Sequence, residues 1–533
     1  MVRFSLLPAV ILFILVVGCH NGIRPLSEGA HGRSYFVSLS GDDNNPGFRE
    51  KPWKSIARIN SAHFKPGDSI LFEGGSSFAG AIVLDSLDSG NELFAVTIGS
   101  WGKGKAIING GKTAAINIYG CSFVSLKDLI VRGIGRKDGN SSDGILITHS
   151  RHIALTGIEI SGFQHSGLYV NLCSAMIIND VHAHDNGFAG IHISGNTAGD
   201  SLKFENEDIY IGYCTTDNNP GDPTALTNHS GNGIVAASVR RGTIEYCEAS
   251  NNGWDMPWTG NGPVGIWIWD CSDFRIQHCI SHDNKTNPVA KDGGGFDLDG
   301  GVSNSVIQYC LSYNNMGAGI GLFEFGDAKP WENNTIRYNI SYNDGSLNGG
   351  SVAIWRGSPE MKMRRCQVYN NTFYNSTKRG YSFTVENSCP GFEFRNNIFV
   401  YSGAFIMPGQ KFVSELFQSN CYWNLSGNSS VAGYDNLSEW AKATNNEMID
   451  GKLAGVFINP CLQNPSGCIL TDPSKLNAGN LAAFNLMAGS PLINRGLDLK
   501  NRFNIDPGSK DIAGSALPQG VGFDIGASEF IKR

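Results

Sequence analysis

Asp297 and Asp299 stand two residues apart in the phrase Gly293-Gly294-Gly295-Phe296-Asp297-Leu298-Asp299-Gly300-Gly301. On an extended strand, side chains at i and i+2 share a face and lie about 6.6 Å apart. A carboxyl pair at that distance can split an acetal: one group protonates the leaving oxygen while the other activates a water. Mutual repulsion raises one pKa, as an acid catalyst requires. Thirty residues earlier come Trp267 and Trp269, in Gly265-Ile266-Trp267-Ile268-Trp269. Indole faces stack on the C–H faces of sugar rings. Six of the ten tryptophans fall between Trp254 and Trp355, so aromatic surface concentrates beside the acids. Glu324 and Asp327 follow one phrase later, and Trp355 and Arg356 one further; Arg356 can clamp a substrate carboxylate or pair with a neighbouring acid. Two other readings of the aspartates stay open. They can satisfy backbone N–H groups at a turn, or Asp292, Asp297 and Asp299 can bind Ca2+ through clustered oxygens.

These residues come together only if the chain stacks. A short phrase recurs: GILIT (Gly144 to Thr148), GLYVN (from Gly167), GIHIS (from Gly190), GIVAA (from Gly233), GIWIW (from Gly265), GFDLD (from Gly295) and GIGLF (from Gly319). The intervals run from 23 to 43 residues, the range of solenoid repeats. The third residues form a column of Leu146, Tyr169, His192, Val235, Trp267, Asp297 and Gly321; the fifth form Thr148, Asn171, Ser194, Ala237, Trp269, Asp299 and Phe323. Both columns point away from the core. Tyr169 and His192 extend the candidate binding surface toward the early repeats. With no long helical pattern between the strands, the repeat predicts a parallel β-helix.

Composition fits this architecture. Gly is frequent, as many tight turns demand. A net charge of −7 offers no basic stripe and argues against nucleic-acid binding. The start of the chain carries Arg3, an apolar run from Leu6 to Val17, then Gly18-Cys19, which has the form of an export signal. Four of the thirteen cysteines, Cys214, Cys247, Cys279 and Cys310, fill one slot in successive repeats, and Asn339 fills it next. A buried ladder of thiols continued by Asn is expected there, with Cys461 and Cys468 as the disulfide candidates.

Two resemblances add to this. Val16-Val17-Gly18-Cys19 resembles the lipobox of bacterial lipoproteins, which implies cleavage before Cys19 and a lipid on its sulfur. The phrases YFVSLSGDDNNPG (from Tyr35), KPGDSILFEGG (from Lys65) and FDIGASEF (from Phe523) resemble those of the right-handed parallel β-helix, pectate-lyase-like superfamily of secreted bacterial carbohydrate-active proteins. Some lyases of that superfamily carry a GNGFKLGG-like phrase whose Lys removes a proton beside a uronate carboxyl; Asp297 stands in that position here. Lys291, Arg240, Arg241 or Arg356 would have to substitute.

The expected organisation is a signal peptide at 1–18, a tether at 19–33, an N-terminal cap and first rungs at 34–110, repeats at 111–430 and a closing segment at 431–533. The expected function is a lipid-anchored, extracytoplasmic, monomeric glycoside hydrolase on a polysaccharide or its oligosaccharides. Asp297, Asp299 and Glu324 would be catalytic; Trp267, Trp269, His192, Tyr169, Trp355 and Arg356 would bind substrate, with no cofactor required. The alternatives are a Ca2+-assisted polysaccharide lyase, with Asp292, Asp297 and Asp299 on the metal, and a non-catalytic glycan-binding envelope protein.

Overall fold

The structure is a computed structural model. It describes residues 32–197, 203–326, 328–358, 360–361, 363–467 and 469–532. The signal, Cys19, Asp327 and Cys468 lie outside the described residues. Among those described, no helix is long and apolar enough to cross a membrane.

The chain winds as a parallel β-solenoid. One wall holds eleven parallel strands in sequence order, from Ile82–Leu84 to Phe383–Glu386. A second, longer parallel sheet wraps the remaining sides. A representative coil contains Val264–Trp269, Ser272–Gln277 and Ile280–His282. Alternation sends Ile266 and Ile268 into the core, where neither is exposed. The core is one continuous column of Ile, Val, Leu and Phe running from Val37 to Trp440.

The corner after each second strand shows how the sequence turns the chain. Tyr213, Tyr246, His278, Tyr309 and Tyr338 all adopt left-handed φ, between 52° and 57°. This is an uncommon conformation for residues of that size. Their rings stack on one another along the coil axis, with successive centroids 5.0, 4.9, 5.0 and 5.9 Å apart. The next residue then points inward. Cys214, Cys247, Cys279 and Cys310 are buried free thiols in the expected column. Cys310 N donates to Asn339 Oδ1 (3.0 Å), and the same bond repeats through Asn371, Asn397 and Asn420. Cys461 holds a free thiol, partly exposed.

A helix at Leu437–Thr444 closes the C-terminal end of the core, with Trp440 packed on Phe405, Phe417 and Tyr422. Beyond it the chain turns back along the flank. Leu481, Phe484, Leu499 and Ile512 pack with Tyr309, Tyr338, Tyr342 and Tyr369, well inside the stack.

Candidate functional site

The eleven-strand wall carries the chemistry. Its register aligns Leu146, Tyr169, His192, Val235, Trp267, Asp297, Gly321 and Ala353 as direct neighbours. The third-position column is therefore a physical line of side chains. Trp267 lies on one side of Asp297 and Gly321 on the other. A Cβ at Gly321 would sit 2.7 Å from the Phe323 ring and 3.0 Å from Asp297 Oδ1. The missing side chain leaves a recess that both groups enter.

Asp297 is 2% exposed, and its Oδ1 has no hydrogen-bond partner among the described residues. Burial, then the charges of Asp299 and Asp292, hold its carboxyl well above the usual carboxylate range. Asp299 is half-buried, accepts from Gly300 N (2.7 Å), and is pushed up to about 7, chiefly by burial and further by Asp292. Asp292, at the turn before the strand, is also half-buried. It accepts from Gly262 N (2.9 Å) and rises to about 6 through burial. The wall thus gathers three carboxyl groups, of which the hidden one keeps its proton and the two accessible ones titrate near neutrality.

Aromatic rings continue the surface. Trp267 donates through Nε1 to Asn232 Oδ1 (3.1 Å) and meets His229 edge-on at 5.2 Å. Phe188 bridges His229 and His192, and His192 meets Tyr169 edge-on at 5.2 Å. Burial and neighbouring His229 push His192 down to about 3, so it is a neutral ring. Trp269 keeps partial exposure and lies 6.1 Å from Phe325; a Cβ at Gly300 would collide with that ring at 2.3 Å. Trp355 stands opposite Phe323 in the register, farther along the same face.

Two expected site residues sit elsewhere. Glu324 and Arg356 are direct register partners, but they share the strand parity of Leu322 and Ile354, which face the core. Glu324 is 3% exposed, and burial, with a further push from Asp299, raises it to about 8. Arg356 donates through Nη1 to Met361 O (2.9 Å) and through Nη2 to Ser388 O. Both start from the core-facing side of their strands and not from the Asp297 column, while Glu324 stays near enough to Asp299 to feel its charge. Alternation within the phrase could not reveal this, because both lie one residue past its end. Among the substitute bases, Arg240 and Arg241 are paired with Glu207 and Asp208 on the other sheet. Lys291 adjoins Asp292 and reaches Glu386 Oε2 on the wall (3.9 Å).

A hard cation would take oxygen ligands, and Asp292, Asp297 and Asp299 supply the right chemistry. Their ligand atoms are not drawn within 4.8 Å of one another, however. Among the described residues that condition is met by His63, Asp85 and Asp88. There, Asp88 accepts from Phe64 N and Asp85 N, and Asp85 from Leu87 N. Those bonds account for the cluster as a turn, although the group remains able to hold a metal ion.

Residues 35–350 match the family model described as "Pel9A-like, right handed beta helix region". A lacto-N-biosidase from Bifidobacterium longum subsp. longum is 24% identical, over 71% of this chain and 29% of that protein. The chain thus spans under a third of that relative's length. Among solved structures, a GH136 lacto-N-biosidase from Eubacterium ramulus superposes with a TM-score of 0.49 at 17% identity, covering 73% of this chain and 67% of that one. Pectate lyase Pel9A superposes with a TM-score of 0.46 at 16% identity, covering 95% and 97%.

Proposed function

The chain belongs to the Pel9A-like right-handed β-helix family, and from that premise we propose that it is an exported carbohydrate-active enzyme that cleaves a glycosidic bond in a polysaccharide or its oligosaccharides. One observation carries the reading: Asp297 and Asp299 lie one rung from Trp267 and Trp269, Asp292 sits at the turn before their strand, and all three carboxyl pKa values are raised. Asp299 is the acid. At a pKa of about 7 it holds a proton through much of the neutral range and is open enough to deliver it to the leaving oxygen. Asp297, hidden and with its carboxyl held well above the usual range, lies one rung from Trp267 and feels the charges of Asp299 and Asp292. The tryptophans seat the sugar rings.

Two second steps are compatible with that acid. In hydrolysis, Asp292 takes a proton from water, which adds to the anomeric carbon as the bond to the leaving oxygen breaks. The 24%-identical relative, named for a glycosidase activity, supports this route. In elimination, a base removes the proton beside a uronate carboxyl, its electrons form a carbon–carbon double bond, and the leaving oxygen departs with the proton from Asp299. The family match leans toward elimination, and Lys291, beside Asp292 and reaching across to Glu386, is the amine that would serve as that base once it has lost its proton. Charge supplies the contrary pull. Ionised acids repel a uronate unless a cation joins them, and the carboxylates do not form a ready cation cage. The anchor at Cys19 would tether the enzyme to a membrane of the cell envelope, at the cell surface or on the periplasmic face.

The test is turnover of a polysaccharide panel with and without chelator. Reducing ends with ultraviolet absorbance from an unsaturated product mean elimination; reducing ends without it mean hydrolysis. Asp299→Asn should lower turnover at least a hundredfold by either route. Full activity in that variant removes Asp299 as the acid, and binding of glycans with no turnover of any removes the enzymatic reading.

A further inference from the structure

A second concavity lies beside the acids and is used by neither route above. It encloses about 440 Å3 and is lined by Lys137, Pro223, Trp254, Asp255, Met256, Pro257, Asn287 and Pro288. Trp254 is 46% exposed, unusual for so large an apolar ring in a well-packed chain. Its Nε1 donates to Asn218 Oδ1 (2.9 Å), which fixes the plane of the indole. Arg136 lies over the ring at 5.9 Å. Asp255 is paired with Arg136 and with Lys137, and those two cations help hold its carboxyl below the usual range. Three prolines set the remaining walls, and their locked φ gives a concavity that is already shaped.

Its contents are those of a site for a neutral sugar ring. A fixed aromatic plane offers stacking, an ionised carboxylate offers acceptors for hydroxyl groups, and Lys137 and Asn287 offer donors. An apolar peptide or lipid would leave the Asp255 ion cluster unused.

Two loops join this concavity to the acid cluster. One runs from Trp254 to Gly262, whose N–H donates to Asp292 Oδ2. The other runs from Asn287 to Asp292 itself. The loops are tied together: Asn287 Nδ2 donates to Met256 O (3.2 Å) and Lys291 N to Gly260 O (2.9 Å). Five residues from Asn287 to Asp292 reach at most about 18 Å, a span that a short oligosaccharide bridges. We infer that the Trp254 concavity is a distal subsite that holds a neutral sugar ring of the same chain whose bond is cleaved beside Asp299. This rests on the carbohydrate-cleaving reading and adds to it where the enzyme measures chain length.

The experiment compares wild type, Trp254→Ala, Trp254→Phe, Pro288→Arg and Asp299→Asn on size-fractionated oligosaccharides of galactan, xylan and rhamnogalacturonan, all of which contain neutral rings. Pro288 is exposed, so the arginine fills the cavity from its rim without removing a core side chain. Preference for long over short oligosaccharides, as a ratio of kcat/KM, should fall about tenfold in Trp254→Ala and in Pro288→Arg. The loss should appear in KM, and Trp254→Phe should recover most of it. An unchanged ratio in Trp254→Ala or in Pro288→Arg overturns the subsite, while loss of activity in Asp299→Asn in the same experiment leaves the parent reading standing. If wild type cleaves none of these glycans, the parent reading has failed and titration calorimetry decides the subsite alone. Long oligosaccharides must then bind wild type about tenfold more tightly than Trp254→Ala, and equal or absent binding overturns it.

Discussion

Burial sorts three chemically identical carboxyl groups into different states. Asp297 is covered by Trp267 and the Phe323 ring and keeps its proton, while Asp299 and Asp292 retain some solvent and titrate at about 7 and about 6. The sign of a pH profile follows. A base must be ionised, so activity falls as pH drops through the value for Asp292. An acid must be protonated, so activity falls as pH rises through the value for Asp299. The kcat/KM of hydrolysis should therefore trace a narrow bell centred between about 6 and 7, its limbs belonging to the coupled cluster. Asp292→Asn should flatten the acidic limb along with most of the turnover. A broad plateau from pH 5 to pH 9 would assign the acid and base to other groups. Much of this was legible before the structure: the column Tyr169, His192, Trp267, Asp297 falls out of the repeat, because one residue per rung at fixed phase must stack. Degree of burial was not. Nothing in the phrase announces that Phe323 folds over Gly321, and although the sequence already grouped Asp292 with the other two acids, the turn that holds it is braced by the neighbouring loop at Gly262.

Each rung is tied to the next by side chains as well as strands. A column of buried amides, Asn186, Asn219, Asn252, Asn284 and Asn315, passes one N–H···Oδ1 bond from rung to rung and ends on Asp344. The sequence showed these residues only as turn formers, since Asn is common in turns for several reasons; the thiol column was easier to read because cysteine has no such ambiguity. Asp344 accepts from Asn315 N, Asn315 Nδ2 and Ser341 Oγ, yet burial still raises its pKa to about 6. The folded chain thus binds this proton more tightly than the unfolded chain. Its stability is undiminished below about pH 4, declines as pH rises through about 6, and stays lower above, by up to ~3 kcal/mol. Asp344→Asn restores an amide that can donate where the carboxylate only accepts. Denaturant unfolding should find the variant more stable than wild type at pH 7.5 and equal to it at pH 4. A difference independent of pH would mean that Asp344 has the same pKa in the folded and the unfolded chain.

At the scale of the whole molecule, a solenoid has ends, and an open end exposes both apolar core and unpaired strand edges. The C-terminal end is closed by one short helix, started by Asn436 accepting from Glu439 N (3.0 Å) and stopped by Asn445 in the left-handed conformation. Trp440, 2% exposed, is the plug, ringed by Phe405, Phe417 and Tyr422. The returning chain does separate work. It pins the flank, where Tyr369 Oη donates to Asp506 O (2.6 Å), Gly526 N donates to Asn396 O (2.9 Å) and Asn370 Nδ2 donates to Asp524 O (3.0 Å). Because each coil contacts mainly its neighbours, damage at one end should propagate inward only as far as those pins allow. Trp440→Ala should cost about 3–5 kcal/mol locally through the cavity it leaves. Hydrogen exchange should then quicken in the last strands, Ile398–Tyr401 and Cys421–Asn424, while the wall strands Val264–Trp269 and Gly294–Leu298 keep their protection and the acid cluster keeps its activity. Uniform loss of protection along the chain would show instead that the solenoid unfolds as one unit, and that the cap sets the stability of the distant site.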